Sequence, residues 1–153
     1  MKFMTEDAIF IDSSAFLSFF MEGIDLFQKL SGELVTSVNV IEEVVYILIK
    51  EKAREITKMD KHYDLLIYLR ENPETTSKIA EEVISDISAI IDYFGIMVLP
   101  TARYGEMFEI IKKYGLLPND ALIAATCKHY GIRKIATFDE DFKRVDFLEV
   151  LEL

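Results

Sequence analysis

The chain has 153 residues, 51% of them apolar, with eleven Phe, seven Tyr and only three Pro. That is enough material for one packed domain, 1–153, and it leaves no room for a low-complexity linker. Seventeen Lys plus Arg against 27 Asp plus Glu leave a net charge of −10, which excludes strong non-specific duplex binding but not a local nucleic-acid site built on a cation.

AIFID (8–12) is a short apolar run closed by an acid, as in a central parallel strand. SSAFLSFF reads as helix, and Gly23 and Gly32 punctuate a short helical stretch. ELVTS (33–37) is the second strand. The segment NVIEEVVYILIKEKAREI carries apolar residues at 40, 41, 44, 45, 47 and 48, one helix face. Asn39 as N-cap with Glu42 three residues on predicts a capping box. DKHYDLLIYLRE (60–71) predicts a helix ahead of the Asn-Pro breaker at 72–73. A long helix follows, with Ile79, Val83, Ile84, Ile87, Ile90, Ile91 and Phe94 on one stripe and Gly95 as C-cap. IMVLP (96–100) is the third strand. ARYGEMFEIIKKYG and NDALIAATCKHYG are helices, KIATF (134–138) the fourth strand and DFLEVLEL (146–153) the fifth. Strands alternating with helices predict βαβ units and a mostly parallel sheet covered on both faces.

The single cysteine, Cys127, lies mid-helix among Ala and Thr, a core position. It excludes an internal disulfide framework and fits a reducing cytosol. The acidic start MKFMTEDAIF is not a signal peptide, and no apolar run reaches the ~18 residues of a membrane span. The expectation is a cytoplasmic protein with no membrane partner. His62 and His129 lie among charged neighbours, as surface histidines do.

Ligands of a parallel sheet gather at the carboxyl edge of its strands. Asp12 ends the first strand and Asp139 follows the fourth. Glu42 and Glu43 open the helix after the second strand, and Asp120 opens the helix before the fourth. All of these fall at the same edge. Helix-start acids have a bland role as partners of the dipole, worth ~0.3–1 kcal/mol each. Asp12 has no such duty, and the capping role of Glu42 favours Glu43 for the site. Carboxylates held together repel one another unless a cation joins them. Mg²⁺ or Mn²⁺ suits an all-oxygen set, whereas the lack of neighbouring His or Cys argues against structural zinc. Such a centre suits phosphodiester hydrolysis.

The segments DSSAFLSFF, TSVNVIEEVVYIL and YGLLPNDALIAATCKHYGIRKIATFDEDF resemble the PIN-domain (PilT N-terminus) nucleases, especially the toxins of VapBC-type pairs. The resemblance is strongest over 114–145 and weakest over 50–75. It implies a three-layer α/β/α sandwich with a five-stranded parallel sheet and an endoribonuclease dependent on Mg²⁺ or Mn²⁺. Asp12, Glu43, Asp120 and Asp139 would form the acidic quartet, and Asp141 would be either a fifth metal-binding member or an acid standing just behind the metal ligands. Ser14 and Thr137 match hydroxyls that orient the metal site, and Glu140 matches no role. The resemblance further implies an RNA substrate, cleavage by in-line attack of an activated water, an antitoxin protein as partner and a homodimer. Residues contacting the substrate are not assigned. Lys50, Lys52, Arg54, Lys58 and Lys61 could contact RNA, but interleaved Glu51 and Glu55 give them the pattern of a solvated helix face. A non-catalytic PIN-like module binding RNA or protein is the rival, and it predicts acids to be missing. A haloacid dehalogenase-type phosphatase needs Asp-x-Asp where this chain has Asp12, Ser13 and Ser14. The order of acids does not fit a receiver-like domain.

Overall fold

Five short apolar segments pair edge to edge, every pair parallel, in the order β3-β2-β1-β4-β5. They are β1 (Ile9–Ile11), β2 (Leu34–Ser37), β3 (Met97–Leu99), β4 (Lys134–Ala136) and β5 (Glu149–Leu151). The computed structural model describes residues 4–153; residues 1–3, where the acidic N-terminus starts, lie outside the described residues. β1 is central. A strand paired on both sides and covered on both faces has no polar side, so Ile9, Phe10 and Ile11 are all buried and the segment shows no alternation.

Six helices cover the sheet: α1 (Ser13–Glu22), α2 (Val38–Thr57), α3 (His62–Glu71), α4 (Pro73–Phe94), α5 (Tyr104–Tyr114) and α6 (Pro118–Tyr130). Right-handed crossovers put α1 to α4 on one face while the chain steps from β1 out to β3. The chain then reverses across β1 to β4, which puts α5 and α6 on the other face. α2 packs against α1 and α4, and α5 against α6. The expected three-layer α/β/α sandwich is present, with its sheet wholly parallel.

The reversal makes a topological switch point at the carboxyl ends of β1 and β4. Neighbouring crossovers leave on opposite faces there and open a crevice. Asp12 follows β1 directly, and the chain after β4 bends across the same crevice. Register supports the placement, because Ile11 lies beside Ala136 and the Asp12 N–H donates to the Ala136 carbonyl at 3.1 Å. One loop is sterically set. A Cβ on Gly32, at φ 152°, would sit 2.1 Å from the Asp7 carbonyl oxygen, so only glycine fits ahead of β2.

Several local expectations are corrected. α2 begins at Val38 directly after β2, with Ser37 in the cap position, so the Asn39–Glu42 capping box does not form. β4 stops at Ala136 rather than Phe138, because the next N–H groups turn to hydroxyls: Phe138 donates to Ser14 Oγ at 2.9 Å and Asp139 to Thr137 Oγ1 at 3.0 Å. A 3-10 turn over Glu140–Arg144, absent from the sequence reading, follows. The fifth strand is only Glu149–Leu151, and the stretch after Gly23 is a single 3-10 turn, Phe27–Lys29. On α4, Ile79, Val83 and Ile87 are buried as predicted, while Ile84 points outward. Cys127 is core, and burial raises its thiol pKa. His129 is not a free surface residue: half-buried, its Nδ1 lies 3.0 Å from Glu106 Oε1 and joins α6 to α5.

Candidate metal centre

β1 delivers Asp12 to the crevice almost dry, at 4% exposure. Although Asp12 occupies the cap position ahead of α1, its side chain makes no cap hydrogen bond. Its Oδ2 instead accepts from Thr137 Oγ1 at 2.6 Å and from Ser14 Oγ at 3.3 Å, and Ser13 Oγ lies 3.5 Å from Oδ1. Ser14 and Thr137 also touch each other, at 3.2 Å. The two hydroxyls therefore tie the start of α1 to the end of β4 across the switch point. Burial raises the Asp12 pKa, the nearby Glu43 charge adds to that rise, and the Thr137 and Ser14 hydrogen bonds oppose it.

Asp120 sits in the first turn of α6, with Pro118 at the helix start fixing φ without wasting an N–H. Burial, followed by the charges of Asp139 and Asp12, pushes its carboxyl up from the usual 3.8 to about 7. Carboxylate oxygens of Asp120, Asp139 and Asp141 lie within 4.8 Å of one another. Asp139 caps the 3-10 turn, accepting from the Asp141 N–H at 2.9 Å. Asp141 is less committed to the cluster, because Arg144 already pairs with it at 3.0 Å. Glu140 is exposed and paired with Lys143.

Glu43, rather than Glu42, faces this centre. Its charge acts on both Asp12 and Asp120, while Glu42 is exposed. The capping box that favoured Glu43 in the sequence is absent. Asn119 Nδ2 donates to Glu43 Oε2 at 3.2 Å, and Asn39 Nδ2 donates to Asn119 Oδ1 at 2.9 Å. The sequence reading gave Asn39 a different role, that of helix cap, and missed Asn119. Asn119 adjoins Asp120, and that adjacency was the available signal. The basic run is largely committed elsewhere: Lys52 pairs with Glu82 at 2.9 Å, Arg54 with Glu51, and Lys50 lies over the Tyr46 ring at 4.9 Å.

The donor set fits a hard divalent cation. It is all carboxylate, and two of its members, Asp12 and Asp120, are pushed towards protonation by burial and by neighbouring carboxylates. Among the described residues, neither Asp120 nor Asp139 has a cationic partner within ion-pair distance.

A wholly parallel α/β/α sandwich with acids converging on the switch point defines a PIN domain. The family model matches residues 9–148, and the chain belongs to the PIN domain family. More particularly, it is 38% identical to Ribonuclease VapC2 of Methanocaldococcus jannaschii, over 98% of this chain and 97% of that one. It is 34% identical to Ribonuclease VapC6 of the same organism, over 97% and 99%. The crystal structure of Mycobacterium tuberculosis VapC20, a sarcin-ricin loop cleaving toxin, superposes with a TM-score of 0.59. That match covers 94% of this chain and 99% of that one at 19% identity, a likeness of fold.

Proposed function

We propose that this chain is a metal-dependent endoribonuclease that hydrolyses RNA phosphodiester bonds, acting as the toxin of a VapBC-type toxin-antitoxin pair. The observation that carries the reading is the crowding of Asp120 against Asp139 and Asp12 at the switch point, with no cationic side chain paired to Asp120 or Asp139 among the described residues, in a chain whose relatives are named ribonucleases. Asp12, Glu43, Asp120 and Asp139 would be the catalytic quartet. Asp12, Asp120 and Asp139, with Asp141 at the rim, would hold Mg²⁺ or Mn²⁺. A bound divalent ion supplies a Lewis acid that activates water and offsets charge on the phosphate. Ser14 and Thr137 hold the Asp12 carboxylate in one orientation. The nearly dry floor of the crevice strengthens every electrostatic contact made there.

The uncompensated acids also suit a partner segment that brings Lys or Arg to the crevice, as an antitoxin would. A homodimer is proposed on the exposed apolar edge at β3, where Met97 and Val98 face solvent although parallel sheets are normally covered. The buried free thiol of Cys127 fits the cytoplasm. No helix among the described residues is long and apolar enough to cross a membrane. The rival module without catalysis is disfavoured, since all four acids are present.

The test is cleavage of structured and single-stranded RNAs with Mg²⁺, Mn²⁺ or EDTA, beside Asp12→Asn and Asp120→Asn variants checked for folding. Metal-dependent cutting that is lost in both folded variants is the expected result. A wild type that binds metal and cuts no RNA would return the molecule to the binding-module reading.

A further inference from the structure

We propose that Asn119 is a positioning residue for Glu43, acting at the end of a one-way hydrogen-bond chain that starts at the buried Ser37 hydroxyl. The inference rests on the metal-centre reading above. Ser37 closes β2 with no exposed surface, and its Oγ donates to Asn39 Oδ1. With its oxygen so used, Asn39 turns its amide nitrogen outward and donates to Asn119 Oδ1 at 2.9 Å. That leaves only the Asn119 amide nitrogen to face Glu43, and it donates to Oε2 at 3.2 Å.

Each amide in the chain has one orientation that satisfies both neighbours. A flip of either would set nitrogen against nitrogen or oxygen against oxygen. The chain therefore presents an N–H donor to the Glu43 carboxylate. It also commits one carboxylate oxygen, while among the described residues Glu43 Oε1 accepts no hydrogen bond. Glu43 is on α2 and Asn119 on α6, helices that lie on opposite faces of the sheet. The Asn119–Glu43 contact bridges the crevice between them and sets how far Glu43 stands from Asp120, the next residue along. Hydrogen-bond partners that fix the acids around a metal centre act in this way, and loss of such outer contacts costs about 10–100-fold in metal affinity or activity.

The test is Mn²⁺ binding to the RNA-free protein, followed by the electron paramagnetic resonance of free Mn²⁺, with cleavage measured separately. Asn119→Ala is expected to weaken Mn²⁺ binding about 10-fold, with an unchanged melting temperature because Asn119 is exposed. Asn119→Asp, which sets a carboxylate against Glu43, should weaken it further. In a Glu43→Gln background Asn119→Ala should have no additional effect, and Asn39→Ala should be non-additive with Asn119→Ala. In cleavage, the loss should appear as a higher metal requirement with an unchanged KM for RNA. Wild-type Mn²⁺ affinity in Asn119→Ala, or additive effects in both double variants, would overturn the proposal. A wild type that binds Mn²⁺ without cutting RNA defeats the nuclease reading alone, because the binding comparison still tests Asn119.

Discussion

The two ends of α6 treat charge in opposite ways. At its C-terminus Lys128 and His129 complement the helix dipole, and Gly131 closes the helix in a left-handed turn. Asp146 nearby accepts from the Tyr114 hydroxyl at 2.6 Å, and Lys113 Nζ lies 4.0 Å from it. Asp146 there has partners, and the region is structural. At the N-terminus one carboxylate would satisfy the dipole, yet Asp120 faces Asp139, Asp12 and Glu43. Charge in excess of what the helix can use, held at the cost of raised carboxyl pKa values, separates a binding centre from a capped helix end.

Replacing an acid at the N-terminal end should break the contrast most. Asp120→Asn is expected to reduce metal-dependent RNA cleavage by more than the 10–100-fold typical of an outer-shell change, measured as single-turnover rates. Thr137→Val comes next. It removes the 2.6 Å hydrogen bond to a buried carboxylate, which costs about 1–3 kcal/mol of stability and about 10-fold in cleavage. Thr137→Ser should restore both in the same assays.

The same excess of charge predicts a trade between stability and activity. The folded protein holds a proton on Asp120 up to about pH 7, whereas an unfolded aspartate releases it near 3.8. Between those values the folded state binds more protons, so metal-free stability should fall as pH rises from 4 to 7 and level off above. Asp120 is only partly buried, and solvent screening reduces the effect to about 1–2 kcal/mol. Asp120→Asn should therefore raise the metal-free melting temperature at pH 7.5 by roughly 2–6 °C and make the slope shallower, leaving the part that the raised pKa of Asp12 contributes. Saturating Mn²⁺ should flatten the slope in the wild type too. Urea melts across that pH range would read both results.

The smallest effect belongs to the other end. Asp146→Asn leaves the Tyr114 contact with an acceptor and removes only an exposed charge, so stability should change by less than about 1 kcal/mol with cleavage unaltered. A loss of cleavage comparable to that of Asp120→Asn would erase the distinction drawn between the two ends.

Much of this molecule was legible in the chain itself. The run IFI lacks alternation because both faces of β1 are covered, and that pattern needs no tertiary knowledge to read. The order of strands and helices, the core position of Cys127 and the convergence of Asp12, Asp120 and Asp139 on one edge follow from local periodicity and from the geometry of parallel crossovers. Glu43 was reached from a capping box that does not form. Asn39 leaves the helix cap for Asn119, eighty positions on, since a side-chain amide bonds to whatever donor or acceptor the fold brings near. Where β4 ends was likewise decided by Ser14 and Thr137, whose hydroxyls take the N–H groups of Phe138 and Asp139. Periodicity is a property of neighbours along the chain, and so the sequence carries it. The partner of a polar side chain is a property of neighbours in space, and only the packed structure could decide it.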